Sequence, residues 1–222
     1  MELSPLTIVC GHYGTGKTNL AVNLALDAAR SRDNVTLIDM DTVNPYFRSA
    51  DQKEMLESEG VRVMVPMFAN TNVDIPSLPP GTASALGKGT VIMDVGGDDA
   101  GAVALGGLAK RISSMEYEMW YVVNRFRSMI SDVDDSVAMM RSIEAASRLK
   151  VTGIVNNSHL KDLTTPQNVI DSMDYARRTA EAANVGLKFT TCTENLRDRL
   201  REIDFLYPIA IYVKTPWEDQ GE

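Results

Sequence analysis

The stretch Gly11-His12-Tyr13-Gly14-Thr15-Gly16-Lys17-Thr18 fits the pattern G-x-x-x-x-G-K-[ST] at every fixed position. Each residue type has a physical task. Glycines at 11, 14 and 16 let successive backbone N–H groups turn inward around phosphate oxygens. Lys17 brings positive charge to the β and γ phosphates, and the Thr18 hydroxyl can ligate Mg²⁺. Leu6-Thr7-Ile8-Val9-Cys10 reads as a short buried strand feeding the loop, and Asn19 to Leu26 as the helix leaving it. That order sets a positive helix end behind the phosphates. A chance glycine-rich turn is the competing reading, and the agreement of pattern and flanks disfavours it.

Working outward, Val35-Thr36-Leu37-Ile38-Asp39 reads as a second buried strand that ends in carboxylates. In Asp39-Met40-Asp41 the two acids share a side if the strand continues, close to where an open parallel sheet binds ligands. Thr42 to Arg48 reads either as a switch segment, centred on Asn44 to Arg48, or as a loop whose Tyr46 and Phe47 pack on the body of the domain. Asp51 to Glu59 is expected to be a short helix and Val61 to Val65 a strand. Asn70 to Gly89, with Pro76, Pro79 and Pro80, reads as an irregular loop insertion holding at most one or two helical turns.

Thr90 to Gly97 supplies the second motif, an apolar run closed by Asp94 and followed by Gly96 and Gly97. An aspartate there can hold Mg²⁺ through its water shell, and the glycines let a backbone N–H approach a γ-phosphate. Asp98 to Gly101 is expected to cap a helix from Ala102 to Ile112. Further strands are expected at Met119–Asn124, Val151–Asn156, Gly186–Cys192 and, at the edge, Ile209–Val213. Helices are expected at Asp132–Leu149, at Pro166–Ala183, and over the Arg-rich stretch Arg197–Arg201. In the first of these, Val133, Val137, Met140 and Ile143 form a stripe that reads as core. Alternating strands and helices imply right-handed crossovers and a single three-layer α/β domain over 1–222 with a mostly parallel central sheet.

Composition narrows the function classes. The chain has 222 residues, 44% hydrophobic and 23% charged, with a formal net charge of −8, so no nucleic-acid partner is expected. The Arg-rich stretch has acids among its arginines and reads as a solvated face. No run reaches membrane-spanning length and Met1 to Pro5 lacks a signal-peptide pattern, so a cytoplasmic location is expected. The two cysteines, Cys10 and Cys192, sit in strand-like settings and read as core residues rather than as a disulfide or a metal cluster.

Taken together, Gly11 to Thr18, Ile38-Asp39-Met40-Asp41 and Met93-Asp94-Val95-Gly96-Gly97 resemble the CobQ/CobB/MinD/ParA group of P-loop ATPases. The resemblance runs from the first strand to Asn156. It implies that Lys17 neutralises phosphate charge, Thr18 ligates Mg²⁺ and Asp41 orients or activates the attacking water. It also implies that Asp39 and Asp94 support the metal shell, Gly97 contacts the γ-phosphate and Asn156 meets adenine. The expected nucleotide-contacting set is Gly11, His12, Tyr13, Gly14, Thr15, Gly16, Lys17, Thr18, Asn19, Gly97 and Asn156, with Lys17 and Asp41 catalytic. Where the group has a second lysine directly after the first glycine, reaching across a dimer to the partner's nucleotide, this chain has His12. A neutral imidazole carries no fixed charge. The group's C-terminal membrane helix has no counterpart in the acidic stretch Trp217 to Glu222, and no membrane partner is expected.

The resemblance implies ATP and Mg²⁺ as ligands, with a protein partner and a homodimer as candidate assemblies. The first functional reading is a switch-like ATPase acting through that partner, and the absence of an N-K-x-D tetrapeptide points to ATP over GTP. The alternative is an ATP-dependent synthetase or kinase of the CobQ/CobB or dethiobiotin synthetase type, with the Asn70–Gly89 loop or Arg125 and Arg127 as anion contacts. A third reading is a nucleotide-dependent binding or metal-delivery module with little turnover.

Overall fold

A computed structural model describes residues 3–41, 52–66, 78–97, 99–130 and 132–213. The expected switch segment Asn44–Arg48, the first part of the 70–89 loop, Asp98 and the acidic stretch at 217–222 lie outside the described residues. Eight strands form one sheet: β1 (Leu6–Cys10), β2 (Val35–Asp39), β3 (Val61–Met64), β4 (Thr90–Asp94), β5 (Glu118–Val123), β6 (Gly153–Asn156), β7 (Gly186–Thr193) and β8 (Leu206–Ile209). Their order is β3-β2-β4-β1-β5-β6-β7-β8, and every pairing is parallel. The helices are α1 (Lys17–Ala29), α2 (Lys53–Ser58), α3 (Thr82–Ala85), α4 (Asp99–Gly106), α5 (Ala109–Ile112), α6 (Val133–Ser147) and α7 (Pro166–Ala183).

The apolar runs of the strands are explained by burial on both faces. Along β1, Leu6, Ile8 and Cys10 enter one core and Val9 the other, and along β5 Met119, Tyr121 and Val123 alternate with Trp120 and Val122. The first core is closed by Leu105 of α4, Ile112 of α5, Met140 and Ile143 of α6, and Tyr175 and Ala176 of α7. The second is closed by Leu20 and Leu24 of α1 and Leu56 of α2. This gives the three layers expected from the alternation of elements, and it places the α6 stripe in the core as read. Trp120, Phe189 and Tyr207 stack edge to face, with ring centroids 5.4 and 5.3 Å apart, and extend the second core toward the β8 edge.

The helix at 166–183 matches its expected bounds, and Thr165 adds a capping box with Asn168. Three expectations are corrected, and one is met. The helix expected at Ala102–Ile112 is two, α4 and α5, with α4 ending at Gly106, where a Cβ would come 2.7 Å from the Ala146 carbonyl oxygen of α6. The close approach of these helices needs a glycine there, and Arg148 donates to the Gly106 carbonyl. The Arg-rich stretch is no α-helix: Arg197 to Arg199 lie in a 3₁₀ helix, Glu194–Arg199, whose i,i+3 spacing suits the Arg197–Glu194 pair at 3.1 Å, and Arg201 just beyond it pairs with Asp198 at 2.5 Å. The described part of the 70–89 loop holds the single helical turn α3, as expected. The edge strand expected at Ile209–Val213 lies earlier, at β8, and the chain beyond Ile209 leaves the sheet to run over α1.

Candidate functional site

The loop between β1 and α1 is held from inside and from behind. The His12 carbonyl accepts from Thr15 Oγ1 at 2.9 Å and from Lys17 Nζ at 3.1 Å. These bonds curl the loop and fold the lysine back over it. Gly16, the N-cap of α1, has φ 82°, and a Cβ there would collide with the Asn157 amide nitrogen. That amide donates to the Thr15 carbonyl at 2.6 Å and accepts from the Thr191 hydroxyl, so the ends of β6 and β7 clamp the loop. Gly16→Ala is expected to destabilise the protein by about 1–3 kcal/mol and to weaken ligand binding, since strained backbone and steric overlap coincide. Chemical denaturation checks it, and unchanged stability would mean that the loop relaxes freely.

The acids named from the sequence are brought together here. Asp39 and Asp94 end β2 and β4 as register partners, and Asp94 lies opposite Val9 of β1. The Asp41 backbone N–H donates to Asp39 Oδ1 at 2.9 Å. Asp94 is 1% exposed, and neither of its carboxylate oxygens meets hydrogen-bond geometry with a described residue. Burial raises its pKa to about 7, while the Lys17 charge and the nearby Thr18 hydroxyl pull it down and Asp41 pushes it up. A buried carboxylate beside Thr18 and a second strand-end acid fits a hard divalent cation. Among the described residues no cluster of three or more His, Cys, Asp or Glu side chains is set to hold a metal, and Mg²⁺ does not need one, since it keeps waters and substrate phosphate oxygens as ligands.

Gly97 lies against the phosphate loop. A Cβ there would come 2.5 Å from the Tyr13 nitrogen, so the turn after β4 packs directly on the loop backbone. Beyond the loop a cleft of about 820 Å³ opens, walled by Tyr13, Lys17, Thr18, Asp41, Arg127 and Asn157 among others. Arg127 reaches it from the end of β5, its Nε donating to the Gly14 carbonyl at 2.6 Å. Arg125 is directed elsewhere, to the Asp171 carbonyl of α7 at 2.9 Å. His159 also lines the cleft. Its Nδ1 accepts from the Lys161 N–H at 3.2 Å, which leaves the hydrogen on Nε2 of the neutral ring. Burial first, then the charges of Arg127 and Lys161, lower its pKa to about 4.

One expected contact is placed differently. Asn156 is fully buried, and its amide donates to Ser172 Oγ at 2.9 Å and accepts from Ser158 Oγ at 2.7 Å. It faces α7, and its neighbour Asn157 lines the cleft instead. Period-two alternation at the end of β6 was the signal that could have told them apart. Asn19 lines the cleft as expected, with its side chain bonded to the backbone of residues 210–213. Cys10 and Cys192 are free and buried, with burial pushing their thiols up to about 12 and about 11.

Among the described residues no helix is long and apolar enough to cross a membrane. No curated protein matches the sequence significantly. Solved structures similar to the chain share its fold. They include cell division protein FtsY from Thermotoga maritima (20% identity over 85% of this chain and 62% of that one, TM-score 0.52). The signal recognition particle receptor FtsY from Elizabethkingia anophelis is similar as well (19% identity, 87% and 59%, TM-score 0.54). So is the signal recognition particle 54 kDa protein from Aeropyrum pernix in complex with GDP (18% identity, 85% and 41%, TM-score 0.56). The chain thus spans less than two thirds of the length of each of them. Residues 6–188 match the model of the CobQ/CobB/MinD/ParA nucleotide binding domain, and with the phosphate loop, the strand-end acids and the parallel sheet in agreement, the chain belongs to that family of P-loop nucleotide-binding domains.

Proposed function

We propose that the protein binds Mg·ATP and hydrolyses it slowly, using the change of bound nucleotide to alter its contacts with a protein partner. The observation that carries this reading is the meeting of Lys17 and Thr18 with Asp39, Asp41 and Asp94 at the ends of three adjacent strands. Lys17 leaves the His12 carbonyl for the phosphate oxygens and neutralises their charge. Thr18, Asp39 and Asp94 are the groups suited to hold Mg²⁺, which when bound offsets the charge on the transferred phosphoryl group. Asp41, on the cleft wall, accepts a hydrogen bond from the attacking water. The water oxygen bonds to the terminal phosphorus as the bond to the bridging oxygen breaks, and loop N–H groups stabilise the charge that develops.

ATP is assigned over GTP because the chain reads Asn157-Ser158-His159-Leu160 where the clamping asparagine would begin an N-K-x-D tetrapeptide. Leu160 stands where that tetrapeptide has its guanine-reading aspartate, and Asp162 lines the cleft two residues further on. The Aeropyrum pernix relative was solved with GDP, so both nucleotides belong in the test. Phosphate release should be faster with Mg·ATP than with Mg·GTP and should fall at least about 100-fold in Asp41→Asn. Undiminished release by that variant would remove Asp41 from the chemistry. A rise in specific activity with protein concentration would support a homodimer despite His12. A second reading, the small-molecule synthetase or kinase, is favoured by Arg127 on the cleft wall as an anion contact. It predicts phosphate release only when a second substrate is added.

A further inference from the structure

The backbone beyond β8 is fastened to the helix that opens at the phosphate loop. Asn23 Nδ2 donates to the Ala210 carbonyl at 2.9 Å and Asn23 Oδ1 accepts from the Ala210 N–H at 2.9 Å. This is the pair of bonds that a neighbouring strand would make. One turn earlier, Asn19 Nδ2 donates to the same carbonyl at 2.9 Å, while its Oδ1 accepts from the N–H groups of Tyr212 at 2.8 Å and Val213 at 3.2 Å. Two side chains at i and i+4 on α1 thus hold residues 210–213, and Asn19 directly follows Thr18.

The clasp sets which side chains wall the cleft. Ile209, Ile211 and Val213 line it together with Asn157, Thr193 and Asn195. Ile211 stays 52% exposed although the backbone on both sides of it is hydrogen-bonded. A large apolar side chain is therefore presented to an open space. The phosphate-facing groups Lys17, Thr18 and Asp41 lie on the same cleft. The apolar stretch with a few amide and hydroxyl groups is suited to a flat heteroaromatic ring with a polar edge.

We infer that Asn19 and Asn23 are positioning residues that hold Ile211 and Val213 as a preformed wall against which the nucleoside of a bound nucleotide packs, so that nucleoside binding and docking of residues 210–213 are linked. This inference rests on the nucleotide-binding reading. Fixing the wall before the ligand arrives removes an ordering cost from binding, and releasing it lowers the apparent affinity by the fraction of molecules with the wall in place.

The test is titration of the full chain with Mg·ADP and, separately, with Mg²⁺ and inorganic tripolyphosphate, in wild type, Asn23→Ala and Ile211→Ser. Ile211→Ser changes a half-exposed side chain that makes no clasp bond, so it remains informative if Asn23→Ala folds poorly. Both variants should bind ADP about 5- to 30-fold more weakly while tripolyphosphate affinity stays as in wild type. Unchanged ADP affinity in both variants, or equal losses for both ligands, overturns the inference and leaves the nucleotide reading intact. Wild-type protein that binds no nucleotide overturns both.

Discussion

Lys17→Ala is expected to lower nucleotide affinity by about 100-fold or more, measured by calorimetric titration of Mg·ATP. Lys17 is 6% exposed and opens α1, so its ammonium works at short range in a place that water reaches poorly. One of its acceptors, the His12 carbonyl at 3.1 Å, is neutral. A phosphate oxygen offers the same geometry with a charge. Alanine keeps the helix but removes the only side-chain cation in the motif Gly11 to Thr18. A Lys17→Ala protein that bound Mg·ATP like the wild type would take the phosphate role away from the loop.

Asp94→Asn should move two measurements in opposite directions. In ligand-free protein with chelator, the variant should melt higher than the wild type. Burial raises the Asp94 pKa from 3.8 to about 7, so ionising this carboxyl is harder in the folded than in the unfolded chain. The penalty is absent below about pH 4, grows as pH rises toward the folded pKa, and is complete above it. The gain in Tm should accordingly be small near pH 4 and largest above neutrality. A variant that melts lower at pH 8 would mean that the carboxylate is held by favourable partners rather than opposed by burial. With nucleotide present, the same variant should lose most of the Mg²⁺ dependence of binding, because an amide is a poor ligand for a hard cation or its water shell. Because the Lys17 charge acts on Asp94, Lys17→Ala and Asp94→Asn should not be additive in stability.

These expectations rest on residues that the sequence already singles out. Glycine spacing, a following lysine and strand-end aspartates are local signals, and the sheet order then brings Asp39, Asp41 and Asp94 to Lys17 and Thr18. What sequence reading misplaced depends on which way a side chain turns. Asn156 and Asn157 are indistinguishable as residue types. Only the parity of β6 sends the first to Ser172 and the second to the Thr15 carbonyl. Arg125 and Arg127 formed a similar pair, and the turn after β5 sends one to α7 and the other to Gly14. The need for a glycine at 106 comes from its contact with Ala146, forty residues away in the chain.

By itself the sequence determined the phosphate loop, the alternating parallel architecture and the identity of the acidic residues, because these depend on periodicity and on backbone freedom within a few consecutive residues. The clamp of Asn157 on the loop, the burial that raises the Asp94 pKa and the fastening of residues 210–213 to Asn19 and Asn23 were decided only in the tertiary structure. Each joins groups far apart in sequence, and a hydrogen bond or a desolvation penalty exists only once the sheet has placed its partners side by side.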